Sequence, residues 1–172
     1  MACCFPSTKE EKMITKLDLL SNLLVEEYAQ KGLIISFCKK GENSQDPNAT
    51  CHAQGKHSPI IEPAALEARF QKENPPFSCK FYSQTKMFEA RSQFLEENWE
   101  KMLKCQTQGE TSYWAEVTMT EYAGCGIGRD GSIVHGVQTV TCGYKYEDGV
   151  WYEITLYPNA KKDSDKIYAG HR

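Results

Sequence analysis

The sequence predicts an α+β fold: a single domain whose curved antiparallel sheet packs against amphipathic helices as a cone-like roll. Two observations predict it. From Tyr113 to Tyr157 apolar and polar residues alternate with period two, broken at Gly128-Arg-Asp-Gly131 and Glu147-Asp-Gly149, as in three consecutive antiparallel strands joined by tight Asp-Gly turns. Upstream, apolar residues recur at helical spacing in three separate segments, so helices gather before the meander and lie against its sheet. A length of 172 residues suits one core.

The first helix is announced by Thr8-x-x-Glu11, a capping box. Met13, Ile14, Leu17, Leu20, Leu24 and Tyr28 then follow on one face until Gly32 ends the run. Leu33 to Cys38 is short and β-prone. The polar stretch 41–58 reads as a long loop, and the ends, 1–7 and 160–172, are expected to be flexible. Pro63 sits where a first helical residue belongs, with Ala65, Leu66 and Phe70 on one side and Asn74-Pro-Pro76 as the stop. Phe77 to Tyr82 reads as a strand. Thr85 is placed to cap a third helix, where Phe88, Phe94, Leu95, Trp99, Met102 and Leu103 form the apolar side and Glu89, Glu96, Glu97 and Glu100 face out. In the meander, Tyr113, Ala115, Val117 and Met119 share the covered face, and Val140 and Ile154 are expected in the core with Val117.

Composition excludes some classes. With 20 basic and 23 acidic residues the net charge is −3, and no basic block interleaves with aromatics, so nucleic acid is not an expected partner. No apolar stretch approaches the roughly 20 residues of a membrane span. Met1-Ala-Cys-Cys-Phe-Pro leads into charged residues instead of a signal core, which points to a cytoplasmic setting with reduced thiols. Eight cysteines and the Asn48-Ala-Thr50 acceptor favour the alternative, a secreted disulfide-bonded protein, if the chain is a processed form.

Metal and cofactor are not expected. Cys51-His52 and His57 share one loop, but the close cysteine pair that nucleates a structural zinc site is missing, so they read as solvated loop residues. His135 is the candidate catalytic base, since it falls mid-strand with Thr139 and Thr141 on its own face, where it could reach a cavity and an imidazole can act as a general base; a satisfied sheet histidine is the plainer reading. Tyr113, Trp114, Tyr122, Tyr144, Trp151 and Tyr152 are the candidate ligand-binding residues, although core packing asks for the same types. Asp130 is explained by turn chemistry.

The helix followed by long antiparallel strands, closing on Asp148-Gly149-Val150-Trp151 after Val140-Thr-Cys-Gly-Tyr144, resembles the NTF2-like superfamily. That resemblance implies a conical pocket between helices and sheet, used by isomerases, dehydratases and cyclases and by non-catalytic binding or dimerisation domains. Ala123-Gly-Cys-Gly-Ile-Gly128 followed by Val140-Thr-Cys-Gly-Tyr144 is similar to strands of the CAP (cysteine-rich secretory) superfamily, without the histidine that family places before its first strand. The functional expectation is a domain that binds a small apolar molecule in a helix-sheet pocket, or a protein on the sheet face, including a second copy of itself as a homodimer. The alternatives are a pocket enzyme using His135 and a secreted CAP-like protein.

Overall fold

The structure is a computed structural model that describes residues 8–37, 63–72 and 75–163. The expected loop at 41–58 and the ends at 1–7 and 164–172 lie outside the described residues, as do Cys3, Cys4, Cys38, Cys51, His52, His57 and His171. In chain order the elements are α1 (Thr8–Gln30), β1 (Ile35–Ser36), α2 (Pro63–Lys72), β2 (Phe77–Phe81), α3 (Gln84–Thr107), β3 (Ser112–Thr118), β4 (Gly124–Gly128), β5 (Ile133–Val137), β6 (Thr139–Glu147) and β7 (Val150–Pro158). The class is α+β.

The helices end and begin for local reasons. Gly32 takes a φ of +88°, and the Leu33 and Gly32 N–H groups donate back to the carbonyls of Tyr28 and Ala29, closing α1 as a Schellman turn. The third helix starts two residues earlier than expected. Ser83, not Thr85, is its cap, because Ser83 is extended and its Oγ accepts from the Lys86 N–H at 3.1 Å.

The expected three-strand meander is corrected to five strands in two sheets. One sheet has the order β1-β7-β6-β3, antiparallel except for β1, which runs parallel to β7; the other has the order β2-β4-β5. The 113–125 strand divides at residues 119–123. Its glycine-rich continuation leaves β6 and pairs with β2 instead, where a side chain on Gly124 would collide with the Lys80 carbonyl. The 133–144 strand divides at Gln138. There the N–H groups of Gln138 and Thr139 both donate, at 2.8 Å, to the Asp163 carboxylate, which also accepts from Thr139 Oγ1 at 3.1 Å. Residues 160–163 are therefore part of the structure, with Ala160 and Asp163 buried, and not the loose tail expected from 160 onward.

Both Asp-Gly turns form where expected. Asp148 and Gly149 take φ values of +50° and +83° in the two-residue β6-β7 loop, the backbone that matches strand twist. Asp130 holds the β4-β5 turn by accepting from the Ser132 N–H and Oγ, bonds that also lower its pKa.

The main core lies between α1, α3 and the four-stranded sheet, with Phe94, Leu95, Met102, Val117, Val140, Tyr144, Trp151 and Leu156 at its centre. Ile154 is not with them. Gly143 pairs with Thr155 and Tyr144 with Glu153, so Ile154 is the extra residue of a β-bulge, and the phase of β7 flips across it. Glu153 takes the inward position instead and is 3% exposed.

Candidate functional site

Between the helices and the four-stranded sheet the interior is occupied by buried side chains. Arg91 projects from α3 and forms a two-pronged ion pair with Glu153 of β7, Nε to Oε2 at 2.7 Å and an Nη to Oε1 at 2.8 Å, both side chains buried. Tyr144 donates its hydroxyl to Glu153 at 3.3 Å and stacks on Phe94 with centroids 5.5 Å apart. The guanidinium also lies 4.4 Å from the Phe37 ring. Burial first, and then the Glu153 charge, pushes the Cys142 thiol and the Tyr144 hydroxyl well above their ordinary pKa values, so both stay protonated at neutral pH. The cluster is a closed, hydrogen-bonded plug.

The residues expected to line one pocket are distributed over different surfaces. Tyr144 and Trp151 are fully buried in the core, with the Trp151 Nε1 donating to Gln106 at 3.1 Å. Tyr113 is half-buried on the same side and donates to Asn98 Oδ1 at 2.8 Å. Trp114 and Tyr152 alternate to the outer face of the sheet, and Tyr122 lies exposed in the link between β3 and β4. His135 does not share a face with Thr139 and Thr141, which belong to β6 in the other sheet. The β4-β5 register, Gly124 with Val137 and Gly126 with Val134, places a bulge at His135 and Gly136 and turns the imidazole out to solvent. Among the described residues no carboxylate or tyrosine hydroxyl bonds to it. Arg91 and Glu153 went unnoticed in the sequence because a charged residue on an amphipathic pattern reads as solvent-facing; a distant partner for Arg91 and a bulge at Glu153 reverse that here.

Two aromatic rings are braced against glycines on the outside. At Gly143 a Cβ would sit 2.7 Å from three atoms of the Trp114 indole, so the ring lies on bare backbone across the β3-β6 pair, leaving Trp114 53% exposed. At Gly136, whose φ is +67°, a Cβ would meet the Tyr122 ring at 3.1 to 3.2 Å; Tyr122 is 61% exposed. The Gly136 N–H donates to the Tyr82 hydroxyl at 2.9 Å, and Tyr82 is itself exposed. Glu116 and Lys145 supply charged groups on the strands that flank Trp114. Each ring thus presents one apolar face to solvent beside polar neighbours.

Among solved structures, a chain of the CdiA-CT/CdiI complex from Y. kristensenii 33638 has a similar fold. The TM-score is 0.53 at 18% identity, and the alignment covers 63% of this chain and 98% of that one. The likeness is one of fold. No family model and no curated protein matches the sequence. Neither stretch that resembles the CAP strands pairs with the other, since β4 and β6 lie in different sheets. Cys79, Cys105, Cys125 and Cys142 are thiols and not disulfide-bonded. No helix among the described residues is long and apolar enough to cross a membrane.

Proposed function

We propose that this chain is a protein-binding module that docks a partner through exposed, glycine-braced aromatic rings, Trp114 on the outer face of the four-stranded sheet and Tyr122 on the link between β3 and β4. The observation that carries the reading is the bracing of both rings on glycine. Each ring keeps one face against the sheet and the other toward water, so docking buries a large apolar area without the entropy of ordering a mobile side chain. The buried side chains between helices and sheet, the Arg91-Glu153 pair among them, support the same reading. The neighbour of similar fold is a chain of a complex, CdiA-CT/CdiI, which is in keeping with a partner-binding role.

The test is site-specific photo-crosslinking in cells. A benzophenone amino acid replaces Trp114 or Tyr122, with exposed Lys104 on α3 as the control position. A discrete protein adduct from 114 or 122 that is missing from 104 is the expected result, and an adduct of twice the chain mass identifies the partner as a second copy. Equal labelling from all three positions overturns the proposal.

A further inference from the structure

A second feature, separate from the aromatic surface, is a cleft of about 290 Å³ where the end of β7 parts from β2. Its origin is a point of close contact. A Cβ on Gly126 would lie 2.5 Å from the Ala160 methyl and 3.0 Å from the Cys79 sulfur, so the segment after β7 packs on the smaller sheet there through small groups. The floor is the Cys79 thiol and Ala160, both buried. The walls include the rings of Phe77 and Tyr157, each half-buried. Arg69 of α2 and Lys161 stand at the same opening. Arg69, Tyr157 and Lys161 each also make contacts within the protein.

The chemistry of this lining is selective. The floor is uncharged at neutral pH, since burial pushes the Cys79 thiol up to about 11. Aromatic walls favour a flat apolar body. Two cations at the opening favour an anion. The volume is at the low end of the roughly 300–1,000 Å³ of small-molecule sites, which limits the body to one or two rings. From this geometry we infer that the cleft binds a small planar aromatic carboxylate, its ring against Phe77 and Tyr157 and its carboxylate toward Arg69 and Lys161.

The experiment uses the full chain and three probes: naphthalene-2-carboxylate, the neutral naphthalene-2-methanol of nearly the same shape, and inorganic phosphate. Binding is read by saturation-transfer NMR and by titration of backbone amide shifts. The carboxylate is expected to bind with shifts centred on residues 77–79 and 157–161. The alcohol should bind about tenfold or more weakly, the share of a charge-assisted hydrogen bond, and phosphate should not displace the carboxylate. Arg69→Gln should weaken the carboxylate about tenfold while leaving the alcohol unchanged. Because Arg69 is half-buried, the exposed Lys161→Gln serves as a second variant that keeps the fold, with a smaller loss expected in the same direction. The inference is overturned by equal binding of carboxylate and alcohol, by displacement by phosphate, by no carboxylate binding at about 1 mM probe, or by unchanged affinity in Lys161→Gln together with any Arg69→Gln that folds.

Discussion

Arg91 and Glu153 illustrate how a buried charge pair sets its own mutational signature. Each ion lost its hydration on folding, and their paired hydrogen bonds and the Tyr144 hydroxyl offset that loss. Removing one partner strands the other. Arg91→Met should therefore destabilise the protein by about 3–5 kcal/mol, whereas Arg91→Met combined with Glu153→Leu should recover most of it, because well-packed apolar side chains of similar volume replace such pairs at little loss. Urea unfolding of the single and double variants measures this, and equal destabilisation in both would show that the geometry of the pair matters more than its charge. Acid groups whose pKa is raised by burial act at the other end of the pH scale. The Cys79 thiol moves from 9.0 to about 11, and the Tyr28 hydroxyl from 10.0 to about 12 through burial and the nearby Glu27 and Glu96. The native state holds these protons more tightly than the unfolded chain. Their contribution is thus complete below pH 9 and is lost as pH rises through 9 to 12. At about 1.4 kcal/mol per pKa unit, Cys79 accounts for about 2–3 kcal/mol of that loss, so Cys79→Ala should fall less steeply than wild type between pH 9 and 11 in a denaturation series. An unchanged slope would contradict it.

At the scale of the element, the signals that are local were legible and those that depend on a neighbour were not. Asp130-Gly131 and Asp148-Gly149 specify their turns within a few residues, and Gly32 specifies the end of α1, so the residues alone place them. The order of helices and strands up to α3 was readable for the same reason. Bulges behave differently. The extra residue at Ile154, and the one at His135 and Gly136, invert the facing of everything beyond them while leaving composition unchanged, which is why Ile154 was expected inside. Gly124, Gly126 and Gly128 did carry a signal, since alternating glycines in a strand mark close approach of other groups, here the Lys80 backbone of β2 at Gly124, Ala160 and Cys79 at Gly126, and the Asp130 and Ser132 side chains at Gly128. The start of α3 offers a direct check on competing caps. Ser83→Ala should cost about 1 kcal/mol and Thr85→Ala only a few tenths, because only the Ser83 hydroxyl accepts from the first turn. Thermal unfolding in which Thr85→Ala is the more damaging would put the helix start back at the position its sequence pattern first indicated.

Across the whole molecule, what decides the architecture is pairing between segments far apart in the chain, and no period in the sequence encodes it. β3 and β6 meet across the β4-β5 hairpin, and β1 reaches β7 across most of the chain. The candidate surface was legible only in part: Trp114 and Tyr122 were recognised as aromatic, but the glycines that brace them came from a strand partner in one case and from a bulge in the other. The residues following β7 then hold the two sheets together. Ala160 packs with Cys79, Val134 and Val137 of the smaller sheet, while Asp163 collects three donors at the break between β5 and β6. Without that carboxylate the N–H groups of Gln138 and Thr139 would be stranded at the junction, each such group costing about 1–3 kcal/mol when it finds no other acceptor. Asp163→Ala should therefore destabilise the protein by at least about 2 kcal/mol and open the amides of 138 and 139 to hydrogen exchange ahead of β6 as a whole. Lys162→Ala is the matched control, because its 3.6 Å pairing with Glu116 is solvent-exposed and worth well under about 1 kcal/mol. If the two variants unfold alike and the junction amides stay protected in Asp163→Ala, the sheets are held by their apolar contacts alone, and the turn after β7 is an accessory to the fold instead of its clamp.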